Sequence, residues 1–131
     1  MTDEVRARFL AGIAAQLPPY LVQEVHLFSA IRQGGAESGV AVIAVSRDDD
    51  VALDDTAAAP RFTVYSARYR LALKGLDRGK WEMSVTEEAY APLRTVDAVV
   101  RGVSRRSGDA DETVRLSGDE FRAATLVAAR A

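Results

Sequence analysis

Histidine occurs once in this chain, at His26, and cysteine does not occur. The lack of cysteine excludes disulfide scaffolds, zinc ribbons, iron–sulfur centres and thiol nucleophiles, and a single imidazole excludes multi-histidine metal sites. His26 could act as a general base if its strand faces a pocket. No serine stands in the Gly-x-Ser-x-Gly setting of an activated nucleophile. The sequence therefore favours a structural histidine, partly buried and bonded to the backbone or to solvent.

Clustered carboxylates are the second feature that could carry chemistry. Asp48–Asp50 and Asp54–Asp55 could supply oxygens to a hard cation, but Ala52 and Leu53 stand where an EF-hand needs a ligand and a glycine. We therefore expect no metal site, and no other feature indicates a cofactor. Few apolar residues and many like charges instead predict a mobile acidic loop over 48–60.

Aromatic residues are concentrated in one predicted hairpin, where a pocket between sheet and helix could bind an apolar ligand. The candidate pocket residues are His26, Tyr65, Tyr69, Trp81, Met83 and Glu87. Glu87 falls on the inward phase of its strand, so either His26 or Glu87 could be the polar anchor. The structural alternative is that the aromatic side chains form ordinary core contacts.

Arginines near a predicted helix end could bind an anionic partner. They are Arg94, Arg101, Arg105 and Arg106. Cations are also favourable at a helix C-terminus because of the helix dipole, and that explanation is sufficient. The net charge of −2 and pI near 5.4 argue against nucleic acid as the partner.

The elements that would position these residues follow from hydrophobic periodicity. Apolar residues at helical spacing predict an N-terminal helix from Thr2 to about Leu17, ended by Pro18-Pro19. Alternation predicts four antiparallel strands, over 23–32, 40–47, 63–74 and 80–88. The strand over 40–47 is apolar on both faces, so it should be central and covered on both sides. A helix from Ala91-Pro92, a short strand over 113–116 and a terminal helix with a Ser117–Glu120 capping box complete the order.

The hairpin over 63–88 carries the most detailed prediction. Its apolar faces must lie on one side of the sheet, which fixes the parity of the pairing. With a turn over 75–79, the simplest register places Leu73 opposite Trp81 and Tyr69 opposite Val85.

The sequence thus predicts one α+β domain over 1–131, with an antiparallel sheet of about four strands and N-terminal and C-terminal helices packed on it. No apolar run approaches the ~20 residues of a membrane span, and the acidic start predicts no secretory leader, so we expect a cytoplasmic protein. We expect a non-catalytic protein-interaction module that forms a homodimer through a sheet face or the alanine-rich terminal helix. The alternative is a small-molecule binding domain with the aromatic pocket described above.

Overall fold

One six-stranded antiparallel sheet organises the part of the chain that the structure, a computed structural model, describes: residues 1–46, 61–92, 96–106 and 112–130. The helices are α1 (Asp3–Gln16), α2 (Val96–Arg106) and α3 (Gly118–Arg130). The strands are β1 (Val22–Phe28), β2 (Ile31–Gln33), β3 (Ala36–Ser46), β4 (Arg61–Ala72), β5 (Trp81–Pro92) and β6 (Glu112–Ser117). The strand order is β5-β4-β3-β1-β6, and β2 pairs with β3. The α+β class is therefore confirmed.

The helices begin and end where local chemistry directs them. The Thr2 hydroxyl accepts a hydrogen bond from the Val5 amide at 3.2 Å and caps α1. The predicted capping box is also present, because Ser117 and Glu120 exchange two side-chain to backbone hydrogen bonds of 3.1 Å at the start of α3.

β3 is central and has a buried core on each face. Its inner face, which carries Ala41, Ile43 and Val45, packs against Phe9 of α1 and Phe121 of α3. Its outer face carries Val40, Val42 and Ala44 and packs against three valines of α2, at positions 96, 100 and 103. The expectation that both faces of this strand need cover is met within one chain.

The sheet has six strands rather than about four, for two reasons. The stretch predicted as one strand over 23–32 is broken at Ser29-Ala30, giving β1 and β2, which pair with successive parts of β3. The short strand after α2 also joins this sheet, next to β1. The turn between β2 and β3 is only Gly34-Gly35, both with positive φ, so β3 begins four residues earlier than alternation indicated.

The hairpin of β4 and β5 has the predicted parity but not the predicted register. Leu71 lies opposite Trp81 and Tyr69 opposite Met83, two residues from the expected pairing. The Leu73 amide leaves the hairpin and donates instead to the Gly35 carbonyl at 2.8 Å. The loop from 73 to 80 is therefore longer than a tight turn, with Gly75 and Gly79 at positive φ.

The helix expected to begin at Ala91-Pro92 begins later. β5 continues through Pro92 and is bulged between its pairings to Val64 and Tyr65, and α2 is helical from Val96. The expected acidic loop over 48–60 lies outside the described residues. Each described helix is too short or too polar to cross a bilayer.

Candidate functional site

The aromatic residues singled out from the sequence pack on the inner face of the sheet, against α1. The Tyr69 and Trp81 rings are stacked, with centroids 4.7 Å apart and planes at 7°. Phe9 meets Tyr69 edge-on at 4.8 Å, and the Arg8 guanidinium lies 4.4 Å over the Trp81 ring. Tyr69 is 3% exposed. These contacts are those of a core, and α1 lies where the ligand of an inner-face pocket would lie.

The six candidate pocket residues do not form one group. Tyr65, Trp81 and Met83 are half-buried on the inner face, and Glu87, opposite Tyr65 at the exposed edge, is exposed. His26 follows the opposite phase of β1 from Val25 and Leu27, which belong to the inner core, so its ring lies on the outer face. His26 therefore lies on the other face from the aromatic cluster, whereas Glu87 shares the face of Tyr65 but is exposed to solvent.

A buried carboxylate that the sequence reasoning missed lies beside this cluster. Glu37 on β3 is 1% exposed, and it accepts hydrogen bonds from the Tyr69 hydroxyl at 2.7 Å and from Arg32 Nε at 3.1 Å. Burial, reinforced by the hydrogen bond to Glu37, raises the pKa of Tyr69 well above its ordinary value. Alternation predicts that β3 starts only at Val40, which leaves Glu37 outside any predicted strand. The short Gly34-Gly35 turn was the signal that it stands in a strand.

His26 is held between two carboxylates on the outer face. Its Nε2 lies 3.0 Å from Glu24 Oε2 and its Nδ1 lies 3.2 Å from Glu112 Oε1, while the ring is 1% exposed. Arg115 donates to both oxygens of Glu24 at 2.9 and 3.0 Å, and this pairing raises the pKa of Arg115. Both ring nitrogens are occupied, so the arrangement is a structural clamp rather than a base presented to a substrate.

A second polar cluster joins the outer face to α2. The buried Ser66 hydroxyl donates to Glu88 at 2.6 Å, and Arg106 lies 3.0 Å from the same carboxylate. The hydrogen bond from Ser66, then that from Arg106, holds the pKa of Glu88 below its ordinary value. Arg106 therefore has an intramolecular partner, whereas Arg101 and Arg105 are exposed and Arg94 lies outside the described residues.

An open cleft of about 450 Å³ lies on the outer face, and none of its lining residues belongs to α2. Three consecutive residues from each of three strands line it: Ser38, Gly39 and Val40 of β3, Arg68, Tyr69 and Arg70 of β4, and Glu82, Met83 and Ser84 of β5. Neighbouring side chains in a strand alternate, and Tyr69 and Met83 belong to the inner core. The side chains that face the cleft are therefore the polar ones together with Val40.

Within the described ranges, no three His, Asp or Glu side chains are grouped so that they could hold a metal ion. No family model, curated protein or solved structure matches this chain.

Proposed function

We propose that this protein is a non-catalytic protein-interaction module that acts as a homodimer through the edge of β5. The observation that carries the proposal is the edge itself. β5 is 12 residues long, and among the described residues only β4 pairs with it. A long strand with one free edge offers a row of backbone donors and acceptors to another strand.

β3 offers no face to a second copy, because α1, α2 and α3 cover both of its faces within one chain. β5 is different. Its inner-face residues Trp81, Met83 and Val85 are only half-buried, so an apolar row remains incompletely covered at the edge of the sheet. A second strand at this edge buries more of that row.

A second copy of β5 can extend this edge as one more antiparallel strand. A twofold axis perpendicular to the sheet pairs the strands antiparallel and keeps the inner faces on the same side. With the axis at Val85, the apolar residues of both copies lie on one shared inner face, and the exposed Ser84 of each copy lies opposite Thr86 of the other. The result is one continuous sheet with a copy of α1 on each half of its inner face.

The experiment is sedimentation equilibrium of the wild-type chain and of a Ser84→Lys/Thr86→Lys variant. We expect a wild-type dimer at about 10 µM and a monomeric variant, because two lysines in each copy face like charges across the axis. Both replaced side chains are exposed, so the monomer should remain folded. The matched control is Gln16→Lys/Gln33→Lys, which adds the same charge at exposed positions on α1 and β2, away from β5. A wild-type monomer, or a β5 variant that remains dimeric, would contradict the proposal.

Small-molecule binding is the second candidate function, and the open cleft on the outer face favours it. The cleft lies on the opposite side of the sheet from the Tyr69–Trp81 stack. Its volume of about 450 Å³ falls within the range of small-ligand sites. The two roles share β5: its residues Glu82 and Ser84 line the cleft, whereas the proposed contact between copies uses the backbone edge of the same strand.

A further inference from the structure

The outer-face cleft carries two arginines at its centre. Arg68 and Arg70 are two residues apart on β4, so both side chains project from the same face. Around them the register forms two rows across the strands. In one row Arg70 stands between Ser38 and Glu82, and in the other Arg68 stands between Val40 and Ser84.

The charge of this cleft is positive, and its arginines are available to a ligand. Both guanidinium-bearing residues are exposed, and no carboxylate in the described ranges lies within ion-pair distance of either. Glu82, the acidic residue of the lining, has its own partner in Lys80 at 3.3 Å. Glu88 interacts electrostatically with Arg68, but its carboxylate already accepts a hydrogen bond from Ser66 and forms an ion pair with Arg106. Two arginines thus face one carboxylate that is already paired.

The dimensions of the cleft favour a small ligand over a bound chain segment. Three residues along a strand span about 7 Å and three strands span about 10 Å, and the lining extends no further in either direction. The distance along β4 from Arg68 to Arg70 is also about 7 Å. A guanidinium is a planar fork that binds a carboxylate or phosphate group through two parallel hydrogen bonds.

We infer that this cleft binds a small dianion, a dicarboxylate or a phosphate monoester, through Arg68 and Arg70. Each guanidinium donates to an oxyanion oxygen, and the hydroxyl groups of Ser38 and Ser84 lie beside them as further donors. The inference rests on the second candidate function, small-molecule binding, and does not depend on the homodimer.

The test is calorimetric titration of the full chain with three probes: succinate, inorganic phosphate and neutral glycerol. We expect saturable binding of at least one anion and none of glycerol. In an Arg68→Gln/Arg70→Gln variant the affinity should fall about tenfold or more, since two charge-assisted contacts are lost. The matched control, Arg78→Gln/Arg101→Gln, removes the same charge from exposed positions outside the cleft and should leave the affinity within about twofold.

The remaining outcomes separate this inference from both proposed functions. No saturable anion binding below about 10 mM, or an equal loss in the two variants, would overturn the inference. Binding of glycerol alone would overturn it while leaving the small-molecule role intact. Sedimentation of the same samples reports on the dimer independently, because none of the four arginines lies on β5. If the Arg68→Gln/Arg70→Gln variant weakens the binding of only one of the two anions, that anion carries the oxyanion group that the site prefers.

Discussion

The inner face of the sheet carries a continuous apolar core under two helices, whereas the outer face is divided among one helix, a histidine clamp and an open cleft. The inner face buries one carboxylate, Glu37, against an aromatic stack. The outer face uses ionic clusters that reach the surface, such as the one around Glu88. The inner face therefore holds the larger apolar core, and the outer face holds the open cleft.

The largest difference between the two faces in the effect of a substitution on the free energy of unfolding is expected at two glycines. A Cβ at Gly39 would overlap the ring and hydroxyl of Tyr69, so Gly39→Ala must displace the stack and should lower the free energy of unfolding by about 2–3 kcal/mol. A Cβ at Gly102 of α2 meets no atom within 4 Å, so Gly102→Ala should raise it by about 0.5–1 kcal/mol. Urea denaturation measures both. Changes of similar sign and size in the free energy of unfolding at the two sites would contradict this difference in packing.

A smaller decrease in the free energy of unfolding is expected when Glu37 on the inner face no longer has its hydrogen-bond donor. Tyr69→Phe keeps the ring but leaves Glu37 Oε2 without the hydrogen bond of 2.7 Å, which should cost about 2 kcal/mol at neutral pH. Tyr20→Phe is the control, because Tyr20 is 68% exposed.

The pH dependence of that loss has a definite sign. The pKa of Tyr69 is raised on folding, so its protonated hydroxyl stabilises the fold below about pH 10, and this contribution disappears as the pH rises further. The wild-type protein should therefore lose stability in alkali more steeply than Tyr69→Phe. Parallel curves for the two proteins would show that this hydrogen bond is not the cause.

The smallest effect is expected on the outer face. The pKa of Glu88 is lowered on folding, chiefly by the hydrogen bond from Ser66, so the ionised carboxylate stabilises the fold above its ordinary pKa. That stability should decline as the pH falls through about 5 to 3. Glu88→Gln should lower the free energy of unfolding by about 1 kcal/mol or less at pH 7 and should make its decline at acid pH less steep. The control is Glu82→Gln, at an exposed ion pair with Lys80, and it should leave the decline of stability at acid pH unchanged. A cost equal to that of Tyr69→Phe would contradict the comparison.

Much of the fold could be predicted because it depends on local patterns. Alternation identified β3 as a central strand, placed Tyr69 and Trp81 on one face and paired β4 with β5. The capping box at Ser117 was also recognisable, since its two hydrogen bonds join residues three apart. The register of the hairpin was not, because a bond between Leu73 and the distant Gly35 sets where β4 leaves its partner.

The candidate site was less predictable. His26 was singled out, but its partners Glu24 and Glu112 are separated by most of the chain, and only the pairing of β1 with β6 brings them together. Arg68 and Arg70 follow the polar phase of β4, so alternation places both on the face opposite Tyr69. Their place in a cleft depends on how far α2 extends over the outer face, which no local pattern of β4 indicates.

The sequence by itself determined which residues share a face, because side chains alternate in a strand whatever lies around them. It also determined where α1 and α3 begin, because a cap needs only neighbouring residues. Tertiary structure decided which face each helix covers, where the strands are broken and which polar groups meet. Those outcomes depend on contacts between residues far apart in the chain, and local propensity carries no information about such contacts.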